Sequence, residues 1–194
     1  MSVNNELFEE AKRMVASGEY ACVVIRDNMI SDQMEGKGIV PVILLFEGRR
    51  LKDAVVVDKI VGKASAMIFA LGGVTEVYGE VMSMPALAFL AQAGIKATCG
   101  QFVNAIENRE GTGTCPMEMA VMDIDNAEEA YPALKAKIAE LKEKAEKEQK
   151  AASETTTQPE ETTDEEDVEL EYCWYCGKQI PAGQEECPSC ADLL

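Results

Sequence analysis

The first 126 residues predict an α/β domain, a mixed β-sheet flanked by helices. Two observations carry that expectation. Segments with the apolar period of a helix alternate along the chain with short β-branched or β-rich runs. Turn and cap residues fall between them, at Gly18, Asp27–Asn28, Gly48, Gly72–Gly73 and Gly111–Gly113. A chain of 194 residues with 47% hydrophobic composition has enough apolar material for one ordinary core plus something small.

Residues 5–17 read as an amphipathic helix, with Leu7, Ala11, Met14 and Val15 on one face and Gly18 at the C′ position. Residues 20–25 form a short apolar run, Asp27–Asn28 a turn, and residues 29–34 the returning strand of a hairpin. Residues 38–47 read as a short helix with Pro41 in its first turn and Gly48 after its last. After Val55, Val56 and Val57, Asp58 is placed to cap a helix over residues 59–71, which Gly72–Gly73 ends. Residues 74–82 are β-rich, 85–93 helical and 95–103 strand-like. A polar, glycine-containing loop follows at 108–113, and a last helix over 115–122. The predicted order is helix, hairpin, helix, helix, strand, helix, strand, helix.

Residues 127–152 are rich in Ala, Glu, Lys and Leu. Leu134, Ile138, Leu141 and Ala145 make a stripe, and Glu140–Lys144, Glu143–Lys147 and Glu146–Lys150 are favourable i, i+4 pairs. This is a charged helix that Pro132 starts or kinks. It either packs one stripe on the domain and projects into solvent or forms a short coiled coil. Residues 153–170 are an acidic linker with almost no large apolar residue, a composition that stays disordered.

The formal net charge is −17, and nine acids between Ser153 and Glu171 account for more than half of it, leaving −8 elsewhere. Nucleic-acid binding rests on neutralising phosphates, so this balance argues against it. The N-terminus has acids where a signal peptide carries bases, and no apolar run reaches the roughly 18 residues of a membrane helix. The expectation is a soluble, cytoplasmic protein with no membrane partner. The chain has no histidine, which excludes Ser-His-Asp and Cys-His pairs, histidine bases and histidine metal ligands.

Seven cysteines divide into Cys22, Cys99 and Cys115, scattered, and Cys173, Cys176, Cys187 and Cys190, clustered as C-x2-C-x10-C-x2-C. An odd count in a cytosolic setting disfavours a disulfide framework. Cys22 and Cys99 read as buried strand residues. In the cluster, each two-residue spacing lets both thiolates of a pair reach one ion from a tight turn. Two such pairs close a tetrahedral four-cysteine zinc site, and Gly177 suits the backbone beside the first pair. With all four positions filled by protein, one structural zinc would fold residues 171–194 and do no chemistry. This segment resembles the short zinc ribbons at the ends of many prokaryotic proteins, in which aromatics such as Trp174 and Tyr175 serve a mini-core or a partner.

Four stretches, GIVPVILL at 38–45, DKIVGKASA at 58–66, VYGEVMS at 77–83 and IENREGTGTCPME at 106–118, resemble an uncharacterised family, a domain of unknown function with a cytidine-deaminase-like fold. The resemblance covers about residues 5–130 and implies a three-layer arrangement with the sheet in the middle. Active zinc deaminases carry an H-x-E-type motif at one helix start and P-C-x-x-C at the next. Here those starts carry Asp58–Lys59 and Ser83–Met84–Pro85–Ala86, so neither supplies the ligands.

The resemblance points to a cleft where Asp58, Lys59, Lys63, Ser83, Asn108, Arg109, Cys115 and Glu118 could converge. Within it, Cys115, Glu118, Asp58 and Lys63 are the catalytic candidates, and Lys59, Ser83, Asn108 and Arg109 the ligand contacts. Pro116 makes Cys115 the N-cap of a helix, a position that favours a thiolate. Glu118 three residues on instead imitates a capping box, reaching back to the free N–H of its own helix start. Asp58 and Lys63 also read as a helix cap and a solvated charge.

Two functions remain open. One is a metal-free site that binds or acts on a nucleotide-like or amino-containing small molecule. The other is a non-enzymatic scaffold whose ribbon recruits a protein partner. A nucleic-acid role for the ribbon is opposed by its single base, Lys178.

Overall fold

The computed structural model describes residues 4–108, 111–154, 170–172 and 179–181. The chain divides into two units, Met1–Leu134 and Lys135–Leu194.

In the first unit, helix α1 (Asn5–Ala16) is capped by the Asn4 side chain, which accepts from the Glu6 N–H at 3.0 Å. Strands β1 (Cys22–Arg26) and β2 (Met29–Met34) form the expected hairpin. Its turn residues Asp27 and Asn28 have φ of 52° and 57°. That is the left-handed pair a two-residue hairpin needs, and it is accessible to Asp and Asn because their short polar side chains tolerate it. Helix α2 (Val40–Glu47) has Pro41 in its first turn and ends at Gly48.

The expected helix cap at Asp58 is corrected by the structure. Strand β3 (Val55–Val61) runs through Asp58, and helix α3 (Lys63–Gly72) starts only after Gly62. Asp58 pairs with Cys22 of β1 on one side and Gly79 of β4 on the other. Two flanking ladders outweigh a local cap, because each satisfies backbone groups that would otherwise be buried unpaired. A strand therefore stands between the second and third helices, where the sequence-based order had none.

Strand β4 (Glu76–Ser83), helix α4 (Met84–Gln92) and strand β5 (Lys96–Val103) follow. Helix α5 (Pro116–Ala120) is shorter than the residues 115–122 expected, and helix α6 (Ala127–Glu154) continues through Pro132.

The sheet order is β2-β1-β3-β4-β5. β1 is antiparallel to both β2 and β3, while β3, β4 and β5 run parallel. On one face, Ala11 and Val15 of α1 pack with Val23, Ile25, Val55 and Val57, beside Tyr78. The alternate residues, among them Val24, Val56 and Val77, face the layer of α2, α3 and α4. The described residues thus form a mixed sheet between helices. Cys22 is buried as expected, whereas Cys99, on the edge strand β5, is only half-buried. Near the start of α6, Ala130 and Leu134 are buried, and Tyr131 donates to Glu47 Oε1 at 2.6 Å.

The second unit contains the rest of α6, with a Glu143–Lys147 ion pair at 3.8 Å, and a small antiparallel pair, β6 (Leu170–Tyr172) and β7 (Gln179–Pro181). Cys173, Cys176, Cys187 and Cys190 lie outside the described residues, as does most of the expected linker. Among the described residues no helix is long and apolar enough to cross a membrane.

Candidate functional site

The site grows out of the parallel register. Val61 at the end of β3 pairs with Met82 near the end of β4. The residues that follow, Gly62 and Ser83, are the N-caps of α3 and α4. Two helix starts therefore sit side by side at the carboxyl ends of the strands, the customary ligand position in α/β sheets.

Between them lies the carboxylate of Glu118, from α5, only 5% exposed. Its Oε1 accepts from the Lys63 N–H at 3.0 Å and from the Ser83 hydroxyl at 2.6 Å. Its Oε2 accepts from the Ile106 N–H at 2.8 Å. Ser83 Oγ in turn accepts from the Ala86 N–H at 3.4 Å, capping α4. One carboxylate thus ties the starts of α3 and α4 to the segment after β5. The partial positive charge at helix starts favours an anion there. Gly62 makes room for it, since a Cβ at that position would stand 3.0 Å from Glu118 Oε1.

Glu118 therefore does not close a capping box on its own helix. Cys115 takes the N-cap position as expected, but its N–H donates to Ile106 O at 2.8 Å and its side chain makes no cap hydrogen bond. The loop between is held by a Glu107–Thr114 bridge. Asn108 Oδ1 accepts from the Thr112 N–H at 2.9 Å, and Asn108 Nδ2 donates to Thr112 Oγ1 at 2.9 Å.

Beside Glu118 opens a groove of about 310 Å³. Pro85, Ala88, Phe89, Ala105 and Met122 supply apolar walls, and Lys63, Gln92, Thr114, Glu118 and Asp125 supply polar groups. Lys63 Nζ donates to Met122 O at 2.8 Å and lies 3.9 Å from Asp125 Oδ1, partners for two of its three donors.

Of the residues singled out from sequence, Glu118, Lys63 and Ser83 are brought together, with Ser83 fully buried behind the carboxylate. Asn108 shapes the neighbouring loop, and Arg109 lies outside the described residues. Cys115 is half-buried and does not line the groove. Lys59 is exposed, and its backbone N–H donates to Ala21 O at 2.9 Å. Asp58 belongs to a different place, opposite Cys22 in the β1–β3 ladder. Burial pushes its carboxyl up to about 7 against the opposing pull of the Ile60 and Lys59 N–H groups. Burial, then the charges of Asp58 and Asp32, push the Cys22 thiol well up.

Phe89, Gln92, Thr114, Met122 and Asp125 were not foreseen as site residues. Phe89 on α4 looks like core until the neighbouring elements are in place, and Thr114, Met122 and Asp125 lie between elements, where no local pattern marks them. No metal fits between the helix starts, because the groups that converge there with Glu118 are two amide N–H groups and a hydroxyl that donates. Among the described residues no group of three or more Cys, Asp or Glu could hold an ion.

Residues 10–138 match the family described as "Domain of unknown function (DUF1893)". The fold is similar to the crystal structure of a DUF1893 family protein, TM1506, from Thermotoga maritima. That match has a TM-score of 0.63 and 23% identity and covers 70% of this chain and 92% of that one. No curated protein matches the sequence.

Proposed function

We propose, on the premise that the chain belongs to the DUF1893 family, that its domain binds a small nucleotide-like or amino-containing molecule in the groove beside Glu118. The observation that carries this reading is the groove's composition at the carboxyl ends of parallel strands. Apolar walls from Pro85 and Phe89 suit a flat ring, and Glu118, Lys63, Thr114 and Gln92 offer polar groups to its edge. Glu118 has lone-pair capacity beyond the three hydrogen bonds it accepts, enough for an amino group.

We class the domain as cytidine-deaminase-like in fold but without that class's zinc chemistry. The adjacent starts of α3 and α4 support the fold, and their residues, Gly62–Lys63 and Ser83–Met84, argue against the metal. Of the four catalytic candidates, Glu118 and Lys63 line the groove, so any acid/base step falls to them and not to Asp58 or Cys115.

Thermal-shift screening of the full chain with nucleosides, nucleotides and amino acids tests the reading. A ligand that raises the melting temperature of the wild type, but not of Ala105→Trp with its groove filled, supports it. A flat response across the panel overturns it in favour of a scaffold whose ribbon recruits a protein partner.

The tail reads as a zinc ribbon in which Cys173, Cys176, Cys187 and Cys190 would hold one ion. Four thiolates are a fitting donor set, and the antiparallel strands β6 and β7 bracket the first cysteine pair in sequence. A zinc bound there supplies folding energy rather than chemistry. Native mass spectrometry is expected to find one zinc per chain, lost in Cys176→Ser; metal-free protein from zinc-replete expression would refute the site.

A further inference from the structure

The two edges of the sheet are not alike. β2 carries Asp32 and Glu35 follows it closely, and its pairing with β1 is irregular between Val24 and Ile25. Charge and irregularity are common means of keeping an edge strand from pairing with another chain. β5 has neither protection. It is eight residues long, contains no proline, and its only charge, Lys96, is held by Glu76 at 2.7 Å. None of its residues is fully buried, and Phe102 is 47% exposed.

The helix beside this edge is equally uncovered. α4 contains no charged residue and buries only Ala86 and Leu90. With α3 on one flank and the sheet beneath, it leaves Met84, Leu87 and Ala91 outside the groove lining, Met84 and Ala91 exposed and Leu87 half-buried. These fall at helical i, i+3 and i+7 spacing, the apolar stripe a helix normally buries.

Charge decides what can cover this surface. The chain carries a net charge of −17, of which −9 falls between Ser153 and Glu171 and −8 elsewhere, so two copies repel on balance. Residues 84–103 are the exception, twenty consecutive residues with Lys96 as their only charge.

We propose that a second copy of this chain docks here, β5 against β5 in antiparallel register about a two-fold axis, with α4 packing on its counterpart across the junction. A two-fold contact is self-complementary by construction. Antiparallel pairing puts the two Lys96 residues at opposite ends of the junction. It also satisfies the outward main-chain groups of β5, and the small side chain of Ala91 lets the two helices approach closely.

Light scattering on the full chain, with a dilution series from about 100 μM, tests this, since even a weak interface is populated there. The expected mass is twice that of the chain. Ala91→Glu and Gln101→Lys, of opposite charge and at positions outside the groove lining, should each weaken the dimer at least about tenfold. Hydrogen exchange gives a second readout without mutation: the amides of Lys96–Val103 should slow with rising concentration. A monomer at the highest concentration overturns the proposal. So does a dimer that both variants leave intact, which would place the contact elsewhere, for example along α6.

Discussion

Glu118 shows how much one side chain can hold. It accepts three hydrogen bonds from three segments while nearly excluded from water. Glu118→Gln turns one acceptor oxygen into an NH2 donor facing donors, so about 3 kcal/mol of stability should be lost in urea unfolding. Ser83→Ala, which leaves the Ala86 N–H uncapped and Glu118 one donor short, should lose about 1–2 kcal/mol. If Glu118→Gln cost no more than a surface substitution, the carboxylate would not be the tie between the helices.

Asp58 acts with the opposite sign. Its folded-state value of about 7 lies above the ordinary 3.8, so the folded protein favours the protonated acid. That preference stabilises the fold fully below about pH 4, is lost as pH rises towards 7, and changes no further above it. Asp58→Asn keeps an acceptor for the Ile60 N–H and carries no charge to bury. The variant should therefore gain on the wild type between about pH 4 and 7, by up to about 4 kcal/mol. Parallel stability curves across that range would refute the buried, desolvated carboxyl.

At the scale of elements, glycines set how closely strands and helix starts approach. A Cβ on Gly79 would stand 2.9 Å from Val61 Cγ2 and 3.0 Å from the Val81 carbonyl oxygen. Gly79→Ala should lose about 1–3 kcal/mol, because strand backbone cannot yield as a side-chain tip can. Gly62→Ala meets Glu118 instead. Its cost should be strongly non-additive with Glu118→Gln in a double-mutant cycle, since both disturb one contact.

The hairpin, α1, α2 and α4 were legible because each carries its own signal: an Asp–Asn turn, an amphipathic period, a proline in the first turn. β3 was misread beyond Val57. Asp58 is a good helix cap by local chemistry, and only the ladders from Cys22 and Gly79 make it a strand residue. The Cys115–Glu118 spacing likewise suggested a local box, whereas Glu118 has donors 12, 35 and 55 residues away.

At the scale of the whole molecule, the proposed zinc site and the groove lie apart in the sequence. Among the described residues of the domain no metal cluster exists, and the expected zinc ligands all lie after residue 172. A chelator should therefore leave the domain's main thermal transition unchanged while releasing one zinc per chain. A fall in that transition on chelation would show that the metal supports the domain as well.

The sequence by itself determined the hairpin, the alternation of strands and helices after α3, the absence of histidine chemistry and the cysteine pattern of the tail, because each is written in neighbouring residues or in composition. Only the tertiary structure decided that Asp58 is a strand carboxyl opposite a thiol and that Glu118 sits between two helix starts. It also showed that, among the described residues, β5 and α4 leave exposed an edge whose only charge is Lys96. The physical reason is common to all three. They depend on which distant backbone donors, strands and helices come into contact, and the free energy of those long-range contacts exceeds the local preferences that a sequence displays.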